Sequence, residues 1–325
     1  LNSLQAHPTV GVEALLRQTK LHEKRQLEGE DLGYMLGPRL NAAGRLAQAE
    51  IGVELLTTQD PQRAEKLAQY VEELNAKRQT LERSISRAAD KQARDRFDPV
   101  HDSALVLSDH DWHAGVIGIV AGRLSDKYNK PVVVISSDPL GVKPGVGSAR
   151  SVPGFNLHQA LIACDAHLES HGGHAAAAGL RVLEANIPEF RRAFCAEATR
   201  ELGDGQSTAE LRVDAETALS CLTRQTVQQI ESLAPFGHGN SRPVLCTSRV
   251  RLARAPKRMG GAGRHLSMTF DQNGVSMRAV AFGGGDWEEE LAKIDGDLSI
   301  AFRPVINNFR GRSSVEIHLD DWRVD

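Results

Sequence analysis

Two arginines six residues apart, Arg39 and Arg45, flank Asn41 in the stretch Gly37-Pro38-Arg39-Leu40-Asn41-Ala42-Ala43-Gly44-Arg45-Leu46. A phosphodiester is recognised by bidentate guanidinium donors and by free backbone N–H groups, and this stretch offers both. The alternative is a helix start with two surface arginines. A second stretch, Asp111-Trp112-His113-Ala114-Gly115-Val116-Ile117-Gly118-Ile119-Val120-Ala121-Gly122-Arg123-Leu124, follows a strand and opens a helix. Gly115 near that helix start lets an anion approach unpaired N–H groups, with Trp112 and His113 as candidate contacts. Ile117, Val120 and Leu124 read as core. In Gly147-Ser148-Ala149-Arg150-Ser151 the alternation of an extended segment puts Ser148 and Arg150 on one face, a compact oxyanion grip with Ser151 beside it. A polar edge strand would explain the same residues. In His171-Gly172-Gly173-His174-Ala175-Ala176-Ala177-Ala178-Gly179, the pair Gly172 and Gly173 precedes an alanine-rich helix start. An anion could rest against that backbone, with His174 as a side-chain donor.

Asp109, His110, Asp111 and His113 suggest a metal cluster, because Asp and His suit Mn²⁺ or Zn²⁺. Four such residues within five positions of one loop rarely converge on one ion, and no second cluster completes a two-metal centre. The sequence therefore assigns no metal ligand.

No acidic residue occurs between Glu231 and Asp271, a span containing Arg242, Arg249, Arg251, Arg254, Lys257, Arg258 and Arg264. Arg303, Arg310 and Arg312 follow, beside Phe302 and Phe309. Basic side chains interleaved with aromatics on which bases stack are what a sequence-tolerant single-strand binder needs. A solvated basic face is the other reading. The formal net charge of the chain is −3, so a nucleic-acid surface must be a local patch.

The elements that would position these residues follow from periodicity. Residues 1–46 read as one or two short helices. After Asp60-Pro61, an N-cap and first-turn proline, no Gly or Pro appears until Pro99. Leu67, Val71, Leu74, Leu81, Ile85 and Ala88 recur at helical spacing, interrupted by Arg78. One helix of roughly 35 residues, about 50 Å long, is expected as a strut between domains. Strands at Ala104–Leu107 and Val132–Ile135 alternate with helices at Ala114–Lys127, Asn156–Cys164 and Ile187–Arg200, an α/β pattern. Strand runs at Pro243–Arg251, Arg264–Phe270, Val275–Phe282, Asp297–Val305 and Ser314–Trp322 suggest a closed OB-type barrel. The domains are expected at 1–46, 47–100, 101–204 and 205–325. Four scattered cysteines without a CxxC pair fit a reducing cytosol. No run of about 18 apolar residues exists to span a membrane. Beginning at Leu1 rather than Met, the chain reads as an excised fragment.

Taken together, GPRLNAAGRL (37–46), DWHAGVIGIVAGRL (111–124), GSARS (147–151), GGHAAAAGL (172–180) and APFGHGNSRPV (234–244) resemble the RecJ family of DHH phosphoesterases. The resemblance implies a multidomain α/β plus β chain: the end of a DHH domain, a connecting helix, a DHH-associated domain and an OB-type barrel. It reads as the carboxy-terminal two-thirds of an enzyme that hydrolyses single-stranded DNA from the 5′ end in recombination and repair. Mn²⁺ or Mg²⁺ would be held upstream of this chain, at ligands that include an Asp-His-His triplet, leaving the fragment inactive alone. Ser148, Arg150 and His174 are implied to hold phosphates near the scissile bond, with Trp112, His113, Gly115, Ser151, Gly172 and Gly173 beside them. Arg39, Asn41 and Arg45 would follow the substrate backbone, as would Arg251, Arg254, Lys257, Arg258, Arg264 and Arg310 in the barrel. The implied partner is single-stranded DNA, with a single-strand-binding protein and a helicase as protein partners, for a cytoplasmic monomer with no membrane attachment. A stand-alone single-strand-binding adaptor is the alternative. A phosphoesterase of short oligonucleotides is a third reading, which leaves the strut and the basic barrel unexplained.

Overall fold

The computed structural model describes residues 1–46, 48–98, 102–203, 210–237, 239–309 and 312–325. They form two compact units, Leu1–Ala209 and Glu210–Asp325. The first begins with helices α1 (Asn2–Ala6) and α2 (Val10–Gln18), then a π-helical turn that runs into α3 (Gly37–Arg45), followed by α4 (Ala49–Thr57). Helix α5 (Pro61–Arg96) has 36 residues, about 54 Å at the usual rise. Asp60 starts it by accepting from the N–H groups of Gln62 (2.9 Å) and Arg63 (3.3 Å).

The buried face of α5 is continuous but changes chemistry along its length. Ala64, Leu67, Ala68 and Val71 pack with Leu15, Leu16 and Leu55 of α2 and α4. Ile85, Ala89 and Ala93 pack on the following α/β layer. Between them Asn75, Arg78 and Glu82 are buried on the same stripe, so Arg78 continues the pattern rather than interrupting it. After Ile85 the helical step is four residues, which buries Ala89 and leaves Ala88 exposed, contrary to the expected stripe.

The α/β layer comprises β1 (Leu105–Asp109), α6 (Ala114–Tyr128), β2 (Val132–Ser136), β3 (Gly145–Arg150), α7 (Leu157–Ala163), β4 (Ser170–Gly173), β5 (Ala177–Val182) and α8 (Ile187–Leu202). The sheet order is β1-β2-β3-β5-β4, with β1–β2 parallel through the α6 crossover and the other pairs antiparallel. Val133, Ile135, Ala149, Leu180 and Val182 join Phe190 and Phe194 in one core cluster. Leu105, Leu107, Val132 and Val134 pack with Val116, Ile117 and Val120 of α6 and with α5 in another. Two expectations change here. GSARS is a central strand, between β2 and β5, rather than a polar edge. The alanine-rich stretch starts no helix: Ala178, Leu180 and Val182 are buried while Gly179 and Arg181 are exposed, a period-two pattern that suits a hairpin strand.

The second unit contains β6 (Ala215–Glu216), α9 (Arg224–Glu231), β7 (Leu245–Met259), β8 (His265–Gln272), β9 (Val275–Ala281), α10 (Glu288–Leu291), β10 (Leu298–Phe309) and β11 (Arg312–Val324). Five strands close in the cycle β7-β8-β9-β11-β10-β7, with only β9–β11 parallel within it. This is an OB-type barrel. Leu266, Met268, Phe270, Ala279, Ile300, Phe302, Ile317 and Leu319 fill its interior. Register shifts at Leu252/Arg254 and Arg254/Lys257 let the long β7 bend around it.

Candidate nucleic-acid interface

Helix α3 brings in the first two arginines, and they differ. Arg39 is committed to structure: Nη1 donates to Met35 O (2.6 Å), Nη2 to Glu72 Oε1 (3.2 Å), and Nε pairs with the same carboxylate. Arg45 donates from Nη1 to Gly115 O at 3.3 Å and forms no ion pair among the described residues. Its own carbonyl oxygen lies 1.9 Å from where a Gly115 Cβ would stand. Gly115 thus serves the contact between α3 and α6, not an anion. Asn41 is exposed on α3.

Ser148 and Arg150 do share one face of β3, and that face meets α6. A Cβ at Gly118 would fall 2.9 Å from Ser148 Oγ and 3.2 Å from Arg150 Nη2. Arg150 Nη1 donates to Ser148 Oγ (3.2 Å) and to Ala149 O (2.7 Å), and no carboxylate pairs with it among the described residues. Burial, and then the nearby charge of Arg45, hold the Arg150 guanidinium below the ordinary arginine range.

Arg45 also acts on the polar middle of α5. Arg78 donates from Nε and Nη2 to Asn75 Oδ1 (3.3 and 2.9 Å) and from Nη1 to Glu82. Glu82, only 2% exposed, also pairs with Arg123 of α6. Burial lowers the Arg78 pKa most; Glu82 opposes this, and the charges of Arg45, Arg123 and Arg39 lower it further. Among the described residues, the carboxylates paired with Arg39, Arg45, Arg78, Arg123 and Arg150 are those of Glu72 and Glu82, two negative charges against five positive ones. Such an excess suits a polyanion.

The β4–β5 hairpin extends the face. Ser148 pairs with Gly179, which pairs with Gly172, so three small residues lie in one cross-strand row. A Cβ at Gly172 would meet nothing within 4 Å. Gly173, at φ +141°, is constrained: its Cβ would come within 2.5 Å of Ala177 O. His174 is exposed in the connection, and its N–H donates to Ala177 O (2.9 Å), opposite the Arg150 end of β3.

Other expected contacts have structural occupations. Trp112 is 5% exposed and packs in the α6 core. His113 caps α6, its Nδ1 accepting from Gly115 N–H (3.1 Å), so that N–H is already partnered. Ser151 Oγ donates to Phe155 O (2.6 Å). Asp109 accepts from Asp111 N–H (3.0 Å), and His110 turns away to Asp138 O (3.0 Å) and Glu184 (3.2 Å). Among the described residues no group of three or more His, Cys, Asp or Glu side chains could hold a metal ion. This donor set does not fit a divalent cation.

In the second unit, carboxylates outside the basic run compensate part of it. Arg242 pairs with Glu231 (2.5 Å) and lies over Phe236, Arg251 pairs with Asp297 (2.5 Å), and Arg258 with Glu288 (2.7 Å). Arg254, Lys257 and Arg264 are exposed and without an ion pair among the described residues. Phe302 is 0% exposed, part of the barrel core, and cannot stack on a base. Arg310 and the side chains of Phe309 and Arg312 lie outside the described residues.

Sequence models for two domains match the chain: a RecJ OB domain at residues 213–321 and a DHHA1 domain at residues 101–200. The single-stranded-DNA-specific exonuclease RecJ of Bacillus subtilis is 30% identical over 97% of the chain and 41% of its own length. That of Dickeya dadantii is 32% identical over 95% of the chain and 54% of its own. The chain belongs to the RecJ family. A crystal structure of Thermus thermophilus RecJ in complex with Mg²⁺ superposes with a TM-score of 0.83 at 28% identity, covering 100% of this chain and 48% of that one. A second, with Mn²⁺, gives 0.82. The chain spans about half the length of these relatives, less than the two-thirds expected.

Within this RecJ-family chain, sequence reasoning missed Glu72, Arg78, Glu82, Gly118 and Arg123 as parts of the arginine cluster. One signal was present: Arg78 and Glu82, at i and i+4, fall on the apolar stripe of α5.

Proposed function

We propose that this chain is the substrate-gripping part of a RecJ-type 5′→3′ exonuclease and binds single-stranded DNA through its phosphates. The observation that carries the reading is the approach of Arg45 and Arg150, neither of them paired with a carboxylate among the described residues. Two guanidinium groups held close without a counter-charge repel each other, and a phosphate relieves the repulsion while accepting their N–H donors. In this reading Arg150 and Ser148 hold a phosphate near the reacting bond. His174 stands at the same end of the sheet, and the bare Gly172–Gly179 row gives the strand room to pass. Residues 1–46 end a DHH domain, 47–100 connect it, 101–204 form the DHH-associated domain and 205–325 the barrel. Divalent-cation chemistry, for which Mn²⁺ or Mg²⁺ is the candidate, is supplied by residues outside this chain.

The test measures affinity of the 325-residue chain for fluorescent oligo-dT across a salt series. Neutralising phosphates releases counterions, so binding should weaken steeply with salt, and Arg150→Ala should weaken it at every salt concentration. Salt-independent binding, or unaltered binding by Arg150→Ala, would refute the phosphate grip. Metal-dependent digestion by the purified chain alone would refute the division of labour.

A further inference from the structure

The outer wall of the barrel carries an aromatic cluster that the basic run in the sequence did not reveal. Phe282 follows β9 directly and is 60% exposed. His265 on β8 and His318 on β11 stand edge-on to it, with ring centroids 5.4 and 4.8 Å away and interplanar angles of 70° and 83°. Gly283, at φ +85°, turns the chain after Phe282, and its N–H donates to His265 Nδ1 (3.0 Å). The ring is therefore displayed from a fixed turn, held between two imidazoles, with its remaining surface in solvent.

Strand register places cations on the same wall. Residues directly paired across neighbouring strands point to the same side of a sheet. Lys257 pairs with Ser267, Ser267 with Val280, Val280 with His318, and His318 with Arg303. The adjoining row runs from Arg254 through Thr269 to Arg278. Leu266, Met268, Phe270, Ala279, Ile317 and Phe302, at the alternate positions, point inward, so both rows lie on the outer side, where Val280 alone of them is buried (2% exposed). Two of the cations are already matched, Arg278 by Glu316 (2.6 Å) and Arg303 by Asp320 (3.2 Å). Lys257 and Arg254 remain exposed without an ion pair among the described residues. An exposed flat ring beside a short track of unmatched cations complements a ligand with both π-faces and negative charge. A folded protein surface rarely offers that pair at every repeat; a single-stranded nucleic acid does.

We propose that Phe282, braced by His265 and His318, is a stacking subsite for one nucleobase of a strand whose phosphates pass Lys257 and Arg254. The proposal rests on the single-strand-binding reading above and adds a base-dependent contact to it. Each stacked base contributes roughly 5- to 150-fold in affinity where such contacts have been removed.

The experiment compares oligo-dT with an abasic strand of equal length, using the whole chain. Phe282→Ala should weaken oligo-dT binding by about 10-fold and leave the abasic strand unaffected, whereas Phe282→Trp should retain the preference for bases. Lys257→Ala combined with Arg254→Ala should weaken both strands alike. Equal loss on the two strands, or no loss on either, overturns the stacking subsite. Those outcomes leave the phosphate grip standing as long as Arg150→Ala still weakens binding. Thermal melting of each variant checks that this solvent-facing side chain was removed without unfolding the barrel.

Discussion

Arg45 and Gly115, seventy residues apart, interlock: the Arg45 carbonyl oxygen fills the space of a Gly115 Cβ, and Arg45 Nη1 donates back to Gly115 O. Gly115→Ala must therefore push the end of α3 away from the start of α6, since neither backbone can yield cheaply. A loss of about 1–3 kcal/mol is expected in denaturant unfolding, with weaker DNA binding as Arg45 is displaced from Arg150. A variant as stable and as tight-binding as the parent would show that the contact is not made.

Gly118 has the opposite signature. Its absent Cβ would meet the ends of the Ser148 and Arg150 side chains, which can move, and alanine is favoured over glycine in a helix by about 0.5–1 kcal/mol. Gly118→Ala should leave stability equal or higher while DNA affinity falls about 10-fold, as one charge-assisted contact is lost. Paired melting and binding measurements separate the two effects. A fall in both, or in neither, would mean the Ser148–Arg150 pair does not depend on that gap.

What could be read beforehand depended on how local the cause was. Asp60-Pro61 starts α5 through two hydrogen bonds within three residues, and the apolar run Val132–Ile135 makes a buried strand by its own composition. Ser148 and Arg150 share a face because a strand alternates, and that needs no partner. The rest required neighbours far along the chain. Gly115 resembled an anion seat until Arg45 filled it, and the paired Arg251 and Arg258 looked uncompensated because Asp297 and Glu288 follow the basic run. Phe302 and Phe282 are alike in sequence, and only barrel register sends one inward and leaves the other outside. Ala175–Gly179 invited a helix by propensity, whereas the outcome was set by pairing of β5 with β3 and β4.

Glu82 should be among the most sensitive positions for stability. It sits buried between Arg78 and Arg123, and Glu82→Ala would strand the Arg78 guanidinium among Arg39, Arg45 and Arg123. Breaking a buried pair on one side costs about 3–5 kcal/mol, whereas replacing both partners with apolar residues of similar volume is often neutral. Arg78→Met combined with Glu82→Leu should therefore recover most of the loss in a double-mutant cycle. Failure of the pair to recover would locate the cost in packing rather than in the uncompensated charge.

Asp90 ties α5 to α6 and gives the joint two pH limits. Burial alone would raise its carboxyl, yet hydrogen bonds from Lys127 Nζ (2.5 Å) and Tyr128 OH (2.8 Å), with the charges of Lys127 and Arg94, hold it below the ordinary aspartate value. Burial first, then the bond to Asp90 and its charge, raises Tyr128 from 10.0 to about 12. A carboxyl lowered on folding adds stability that is present above its unfolded pKa, about 3.9, and lost as pH falls through the lower folded value. A phenol raised on folding adds stability that is full below 10.0 and lost as pH rises through about 12. Asp90→Asn should flatten the acid limb of the stability profile. It should also move Tyr128 part of the way back towards 10.0, because burial remains. Tyrosinate absorbance titration of parent and variant gives the difference, and an unmoved Tyr128 would show that burial alone sets its pKa.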